Sequence, residues 1–270
     1  MPPITRRKLL LTGAASAAGA AAGSYGYGRL LERHWIEVVR KPVLLGLPRP
    51  LKIAVAGDIH IDPLHEWEYT ERWIKKLTGL EVDMAVLTGD FVSHDDSHMP
   101  DLTKLLSRIA PPMGAYAVLG NHDHWTAPRE IARELTRNGI CVLANESIPL
   151  PGCPGWFLSG LESYWGGKPD PAALDLHDPD ARHILLVHEP EAFDRLPHPQ
   201  FKLQVSGHSH GGQVRIPLGG PLILPRLGRR YHTGLYEIGD RKIYVNRGIG
   251  TLGPHVRFSC RPEITMLELT

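Results

Sequence analysis

Short apolar runs alternate with amphipathic stretches along most of the chain. The β-rich apolar runs predict strands at 53–56, 84–87, 115–118, 156–159, 184–187, 203–205, 214–216, 235–238, 243–245 and 264–267. Stretches with helical periodicity predict helices at 68–77, 102–109 and 128–138, and a short one at 171–174. Strands and helices alternate early in the chain, whereas strands follow one another later. This order favours an α/β fold in which two mixed β-sheets pack together with helices outside.

The size of the chain fits one large soluble domain. Its 270 residues, 42% of them hydrophobic, can bury a sizeable core. Three cysteines provide no disulfide framework. We assign this domain to residues 51–270, and we interpret residues 24–50 as a linker that leads into it through a short strand or loop.

Residues 1–23 have the pattern of an export signal or membrane anchor. Arg6, Arg7 and Lys8 precede a weakly apolar, Ala- and Gly-rich run at 9–22. A basic segment followed by about 7–15 apolar residues is typical of export signals. The paired arginines resemble a twin-arginine signal, and the run is short for a spanning helix, which needs about 20 apolar residues. We therefore expect a bacterial protein of the periplasm or cell envelope, exported or membrane-anchored; a disordered tail is the alternative.

The net charge of +1 hides an uneven distribution. Residues 51–210 carry 13 basic and 23 acidic side chains, whereas residues 211–263 carry 9 basic and 3 acidic ones. An acidic middle region is suited to collecting cations. The basic segment after it is suited to an anionic substrate or a membrane surface, or it is ordinary solvated charge.

Five of the predicted strands are each followed by side chains that can bind metal ions. In chain order these side chains are Asp58 and His60, Asp90, Asn121 with His122 and Asp123, His188, and His208 with His210. Because ligands of open α/β sheets gather at the carboxyl ends of the strands, these groups can converge. The set mixes carboxylates, an amide and imidazoles without a thiolate, which suits Mn, Fe, Zn, Co or Ni better than Ca or Mg. It also exceeds the needs of one tetrahedral ion, so we expect two divalent transition-metal ions bridged by a carboxylate.

The ordered motifs resemble those of the calcineurin-like metallophosphoesterase superfamily. The motifs are Asp-x-His, Gly-Asp, Gly-Asn-His-Asp, His and Gly-His-Ser-His, and they span residues 57–210. Two further motifs, GHSHGGQ at 207–213 and RGIG at 247–250, resemble a bacterial subgroup of exported or membrane-associated phosphodiesterases, the YkuE/YaeI-like proteins. The resemblance implies a four-layer αββα sandwich of two mixed β-sheets flanked by helices. It also implies metal-dependent hydrolysis of phosphoester or phosphoanhydride bonds.

The resemblance also implies a role for each residue of the motifs. The first metal would take Asp58, His60, Asp90 and His210, and the second would take Asp90, Asn121, His188 and His208. Asp90 would bridge the two ions, and a hydroxide between them would attack phosphorus in line. His122 would be a catalytic residue that protonates the leaving oxygen, and Asp123 would orient its imidazole. The alternative for Asp123 is that it caps the turn that follows.

Two features of the C-terminal quarter suggest contacts to the substrate. Arg247 and Arg257 flank a Gly-rich loop, and an arginine can grip a phosphate with two hydrogen bonds; ordinary surface pairing is the alternative. The segment 216–230 is apolar, rich in Pro and Gly, and ends in basic residues. If it is exposed or folded over the site it could bind an anionic lipid, and otherwise it is a buried strand with a basic turn.

Taken together, the residues predict a monomeric metal-dependent phosphoesterase that acts on a membrane-proximal or lipid-linked substrate. A UDP-2,3-diacylglucosamine pyrophosphatase of lipid A biosynthesis is one alternative, although that reaction is cytoplasmic and an exported protein would not meet it. A non-catalytic binding module on the same fold is another, and the intact ligand set argues against it. A nuclease is the third, but the acidic middle region and the lack of an aromatic and basic groove disfavour a nucleic-acid partner.

The paired arginines generate a test of the export prediction. Replacing Arg6 and Arg7 together by lysine keeps the charge but removes the arginine pair, so we expect the protein to stay in the cytoplasm. Cell fractionation and immunoblotting measure this, with Arg29→Lys as a matched control. An unchanged location of the double variant would contradict a twin-arginine route.

Overall fold

The computed structural model describes residues 5–270, apart from the side chain of Leu9, so residues 1–4 of the predicted leader lie outside the described residues. The helices are α1 (Arg6–Leu30), α2 (Trp67–Thr78), α3 (Met99–Leu106), α4 (Asn121–Thr126), α5 (Pro128–Arg137) and α6 (Ala192–Arg195). Short 3₁₀ helices lie at Glu32–His34, Pro171–Ala173 and His210–Gly212. The strands are β1 (Glu37–Val43), β2 (Leu51–Ala56), β3 (Met84–Leu87), β4 (Ala115–Ala117), β5 (Ile140–Val142), β6 (Glu146–Pro149), β7 (Trp156–Gly160), β8 (Arg182–Leu186), β9 (Phe201–Ser206), β10 (Arg215–Ile216), β11 (Gly220–Pro221), β12 (Gly234–Ile238), β13 (Arg241–Val245) and β14 (Glu263–Leu269).

Two six-stranded mixed sheets form the centre of the molecule, as the sequence pattern predicts. The first has the order β1-β14-β2-β3-β4-β5, in which only the β14–β2 pairing is antiparallel. The second has the order β12-β13-β9-β8-β7-β6, with antiparallel pairing at its two edges. Strands β10 and β11 form a separate two-stranded hairpin.

The main core lies between the two sheets. On β2, Ile53 and Val55 face this inter-sheet core, whereas Ala54 and Ala56 face the helices on the other side. Burial on both faces explains why this strand reads as a continuous apolar run rather than an alternating one. Strand β8 is built in the same way, and its Ile184 completes the inter-sheet core from the second sheet.

Helices cover the outer faces unequally. Helices α2, α3 and α5 bury Trp73, Leu102 and Ile131 against the first sheet. The second sheet is covered by the short α6 and the loops around it, through Ala192 and Leu174. The layers therefore follow the expected helix–sheet–sheet–helix order, with a thin outer layer on the second sheet.

The segment interpreted as a linker contributes to the domain. Strand β1 pairs in parallel with β14 over seven residues, so residues 37–43 form the edge of the first sheet. Its side chains are mostly half-buried, which leaves a weak sequence signal. Helix α1 ends against the domain, since the N–H of Arg257 donates to the carbonyl oxygen of Gly28 (3.2 Å). The segment 24–50 is therefore an integral part of the structure rather than a free linker.

The leader region is helical over residues 6–30. Its alanine content favours a helix, because alanine has the highest intrinsic helix propensity. None of the described helices combines the length and the hydropathy needed to cross a bilayer.

Candidate metal centre

The loops that follow β2, β3, β4, β8 and β9 meet where the two sheets approach each other. The N–H of Asp58 donates to the carbonyl oxygen of Gly89 (2.8 Å), which ties the first loop to the second. The N–H of Gly207 donates to the carbonyl oxygen of His188 (3.1 Å), which ties the fifth loop to the fourth. The side chains after these strands are therefore brought together, as expected for the carboxyl ends of parallel strands.

All seven predicted ligands are buried in one cluster. The potential ligand atoms of Asp58, His60 and His210 lie within 4.8 Å of one another. The same holds for Asp90, His188 and His208. These two groups correspond to the two ligand sets implied by the sequence motifs, and the side chain of Asn121 is buried beside them.

Asp90 belongs to the second group and also lies against the first. Its Oδ2 atom is 3.4 Å from His60 Nε2 and 3.1 Å from His188 Nε2. Its Oδ1 atom accepts a hydrogen bond from the backbone N–H of His122 (2.9 Å). One carboxylate therefore contacts an imidazole of each group, which is the position that a bridging ligand requires.

The donor atoms in the cluster fit divalent metal ions. The Nε2 atoms of His60 and His210 are 3.1 Å apart, and Nδ1 of His208 is 3.3 Å from Nε2 of His188. Within residues 5–270, the buried Asp58 Oδ2 and Asn121 Oδ1 have no hydrogen-bond partner. Lone pairs of this kind are costly to bury unless a cation binds them.

Two backbone carbonyl groups set the orientation of the imidazoles. Nδ1 of His188 lies 2.7 Å from the carbonyl oxygen of Thr88, and Nε2 of His208 lies 2.7 Å from that of Arg226. Each of these nitrogens donates a proton to its carbonyl, so the other nitrogen of the ring is left as a lone-pair donor that faces the cluster. The histidines are thus held in the tautomer that binds metal.

Burial and crowding perturb the ionisation of the cluster. Burial raises the pKa of Asp58 to about 6, and burial together with His60 holds the pKa of His210 well below its usual range. Burial also opposes charge on Asp90 and His188, but their attraction for each other prevails. As a result the pKa of Asp90 lies well below its usual range and that of His188 lies well above it. A bound cation would favour the carboxylates and the neutral imidazoles that the ligand sets need.

Five of the ligands have a left-handed backbone. Their φ angles are 50° for Asp58, 52° for His60, 54° for Asp90, 70° for His208 and 51° for His210. Residues other than glycine adopt this region infrequently, and strained backbone of this kind costs on the order of 1–3 kcal/mol per residue. The repeated use of this conformation turns each ligand sharply out of its strand and toward the cluster.

Two glycines next to the ligands allow the loops to approach closely. A Cβ atom at Gly120 would overlap the carboxylate of Asp90. A Cβ atom at Gly207 would lie 2.5 Å from Asp58 Oδ2 and 2.6 Å from Thr88 Oγ1. The glycines of these motifs are therefore required by the space around the carboxylates.

His122 lies at the edge of the cluster. Its Nδ1 atom is 2.7 Å from the carbonyl oxygen of Ser93 and donates to it, which leaves Nε2 free. Its ring lies 4.8 Å from the His60 ring and 5.1 Å from the Trp125 ring. The structure thus places His122 beside the ligands, with one nitrogen available to another molecule.

Asp123 does not orient the imidazole of His122, so that prediction was wrong. Its carboxylate instead accepts hydrogen bonds from four backbone N–H groups, at distances of 2.8 to 3.2 Å. The donors are Asp90, Phe91, Val92 and Gly120. Consecutive residues of helix α4 point in different directions, so Asp123 faces the loop after β3 while His122 faces the cluster. The alternative, a cap on the turn that follows, is not what the structure shows either, because all four donors precede Asp123 in the chain.

The two arginines do not face a substrate either. Arg257 is fully buried, and its guanidinium donates to the carbonyl oxygens of Arg247 (2.8 Å) and Gly250 (2.7 Å). The guanidinium of Arg247 pairs with Glu37 (2.7 Å) and Glu263. Their donors are consumed within the protein, so the predicted grip on phosphate is wrong. Both arginines fix the loop 247–250, whose Gly250 N–H donates to the carbonyl oxygen of Asp58 (2.8 Å).

Sequence reasoning missed the aromatic rim of the site. The rings of Trp125 and Trp165 are 5.0 Å apart, and Trp165 lies 5.6 Å from His208. The buried carboxylate of Glu189 accepts hydrogen bonds from the N–H groups of Tyr164 (2.9 Å) and Trp165 (3.3 Å). Glu189 directly follows the ligand His188, and that adjacency was the one sequence signal of its role.

The corrected role of Asp123 can be tested by changing it to asparagine. The amide can accept at one oxygen only and brings N–H donors against backbone N–H groups. We therefore expect the free energy of unfolding to fall by about 3 kcal/mol or more. Urea denaturation measures this, with the exposed Asp101→Asn as a control that changes it by less than about 0.5 kcal/mol. Unchanged stability would show that the four hydrogen bonds contribute little.

Comparison with known proteins agrees with the geometry. The family described as calcineurin-like phosphoesterase matches residues 51–212. The uncharacterized metallophosphoesterase YkuE of Bacillus subtilis (strain 168) is 34% identical over 100% of this chain and 99% of its own length. The phosphodiesterase YaeI of Escherichia coli (strain K12) is 32% identical over 98% of this chain and 99% of its own length. The chain therefore belongs to the calcineurin-like phosphoesterase family, and it is an enzyme that hydrolyses phosphoester bonds.

Proposed function

We propose that the protein hydrolyses phosphodiester bonds with two divalent metal ions, and that its substrate is membrane-proximal or lipid-linked. The observation that carries the dinuclear part is the position of Asp90, whose carboxylate contacts His60 of one ligand group and His188 of the other. The similarity to a phosphodiesterase, YaeI, supports the type of bond.

Each ligand group would hold one ion. Asp58, His60 and His210 would hold the first, with Asp90 shared between both, and Asn121, His188 and His208 would hold the second. Two divalent cations in this position would neutralise charge on the phosphoryl oxygens and lower the pKa of water held between them. The protein itself supplies a buried arrangement of donors, in which backbone carbonyl groups orient the rings of His188 and His208.

His122 would supply the proton for the leaving group. Its Nδ1 is engaged by Ser93, so Nε2 is the atom that can hold a proton next to the substrate. Burial lowers the pKa of His122 from its ordinary value, and Asp90 opposes that effect. A proton on Nε2 is therefore released readily to an oxygen that is losing its bond to phosphorus.

The N-terminal helix and the β10–β11 hairpin support a substrate at a membrane. Leu218 at the tip of the hairpin is fully exposed, and Arg226, Arg229 and Arg230 are exposed in the segment that follows. Apolar side chains beside cationic ones are suited to an anionic lipid surface. Export or anchoring through the N-terminal segment would bring the enzyme to that surface.

The alternative functions have less support. The buried, oriented ligands argue against a binding module without activity. Among the described residues that line the cleft over the cluster, none is Lys or Arg. A nuclease or a UDP-2,3-diacylglucosamine pyrophosphatase would have to bind several phosphate charges without these side chains.

The dinuclear assignment predicts a pattern of metal stoichiometry. We expect Asp90→Asn to lower the occupancy of both ions, whereas His208→Ala and His210→Ala should each remove one, because these histidines belong to different groups. Elemental analysis of protein purified with Mn measures the ions per chain, and the exposed His177→Ala serves as control. Two ions retained by Asp90→Asn, or both lost in each histidine variant, would contradict the assignment.

The role of His122 predicts a selective loss of turnover. We expect His122→Ala to lower kcat on bis-p-nitrophenyl phosphate by about 10²–10⁴-fold while metal content stays near that of the unmodified protein. Steady-state kinetics and elemental analysis measure the two quantities together. Loss of a metal ion in this variant would instead make His122 a ligand.

A further inference from the structure

The metal cluster forms the floor of a cleft of about 440 Å³. Asp90, Asn121, His122, His208 and His210 contribute the polar floor. Such a volume can hold a group of small-ligand size, beyond the phosphate that the floor would bind. The walls of the cleft therefore determine which group the phosphate can carry.

One wall of the cleft is aromatic. Trp165 lines it and remains 37% exposed, and Trp125 packs against Trp165 with their planes at 84°. The buried Glu189 holds the backbone of Trp165 in place. An exposed, firmly positioned indole offers a flat apolar surface next to the cluster.

A second wall of the cleft is aliphatic. Leu222 and Ile223 come from the segment after the β10–β11 hairpin, and Leu252 and Pro254 come from the loop before β14. Leu222 and Ile223 are 58% and 81% exposed, although the hydrophobic effect favours burying such side chains. An apolar occupant of the cleft would remove that surface from water.

Hydrogen bonds and close packing hold the aliphatic wall in place. The side chain of Gln213 donates to the carbonyl oxygens of Leu252 and Pro254 (3.0 Å each), and it accepts from the N–H of Leu252 (2.9 Å). Gly212 has a φ of 85°, and a Cβ atom there would overlap Pro221 of β11. These contacts explain the Gly-Gly-Gln part of the 207–213 motif, because they join the hairpin to the neighbouring loop.

The walls of the cleft carry no charge. Besides Asp90 and the histidines of the floor, the described lining contains no ionisable side chain. A substrate group that lies between the walls would therefore be uncharged, since the walls offer no counter-ion to a second phosphate or a carboxylate.

We propose that the cleft between Trp165 and the Leu222–Ile223 wall is a subsite for an uncharged apolar ester group of a phosphodiester, such as an alkyl chain. This subsite rests on the proposed function for the place of the phosphate, and it assigns the substrate to the amphiphilic phosphodiesters. The apolar chain lies between the indole and the aliphatic wall while its phosphate reaches the floor.

Two phosphodiesters with the same leaving group test this subsite. p-Nitrophenyl octyl phosphate and p-nitrophenyl methyl phosphate, both used as monomers below micelle formation, differ only in the alkyl group. The Mn-loaded protein should favour the octyl ester by at least about tenfold in kcat/KM, since each buried CH₂ contributes favourably. Ile223→Ser and Leu222→Ser should each reduce this preference, measured as the ratio of kcat/KM for the octyl ester to kcat/KM for the methyl ester.

Leu218→Ser is the matched control. Leu218 lies in the β10–β11 hairpin, just before the segment that contains Leu222 and Ile223. It is fully exposed, but it does not line the cleft. This variant should keep the preference for the octyl ester. If the hairpin only binds membranes, Leu218→Ser and Ile223→Ser would instead lower activity equally on an ester embedded in anionic vesicles, with no effect on the monomeric octyl ester. That result would overturn the subsite.

The outcomes separate the subsite from the proposed function. Equal kcat/KM for the two esters overturns the subsite and leaves metal-dependent hydrolysis intact. If neither ester is hydrolysed, calorimetric titration with octyl phosphate and methyl phosphate still tests the subsite, because it measures binding without turnover. Tighter binding of octyl phosphate, lost in Ile223→Ser and kept in Leu218→Ser, supports the subsite, and equal binding overturns it.

Discussion

The buried carboxylate of Asp90 is the group on which the rest of the site depends. It contacts imidazoles from both sheets, His60 after β2 and His188 after β8, and it accepts the backbone N–H of His122. Its own backbone N–H is held by Asp123, which also holds the next two residues of the loop. Moving this carboxylate would disturb both ligand groups at once, because an imidazole of each group lies against it.

Without a bound ion, the formation of this cluster costs folding free energy. Five ligands have left-handed backbone conformations, and several lone pairs are buried next to one another. Glycines that leave room for Asp58 and Asp90 allow this crowding. Burial raises the pKa of Asp58, whereas the attraction of His188 overcomes burial and holds the pKa of Asp90 well below its usual range. Folding free energy from the two sheets and their core must offset these costs. A bound cation would then stabilise the arrangement, since the donors are already oriented.

The polar floor and the apolar walls of the cleft come from different parts of the fold. The strand ends provide the polar floor, whereas the walls come from irregular segments: the loop that contains Trp165, the hairpin segment with Ile223, and the loop 251–254. Two of these segments are held by partly buried hydrogen bonds: Trp165 donates to Glu189, and Gln213 donates to Leu252. The chemistry is thus fixed by the rigid sheets, and the identity of the substrate depends on the loops above them.

The sequence alone determined the two-sheet fold and the group of Asp and His side chains that could hold metal ions, because strand pattern is local and each of these side chains follows an apolar run. It could not assign Asp123 or Arg257, whose partners are backbone groups of folded loops. The sequence left open whether the lead-in to the domain is a strand or a loop, because the half-buried edge strand β1 has little periodicity. The cleft walls were equally inaccessible, because Trp165 and Ile223 are far apart in the chain and line the same cleft only in the folded structure. Tertiary structure decided these features, since the direction of a side chain depends on long-range packing that sequence spacing does not encode.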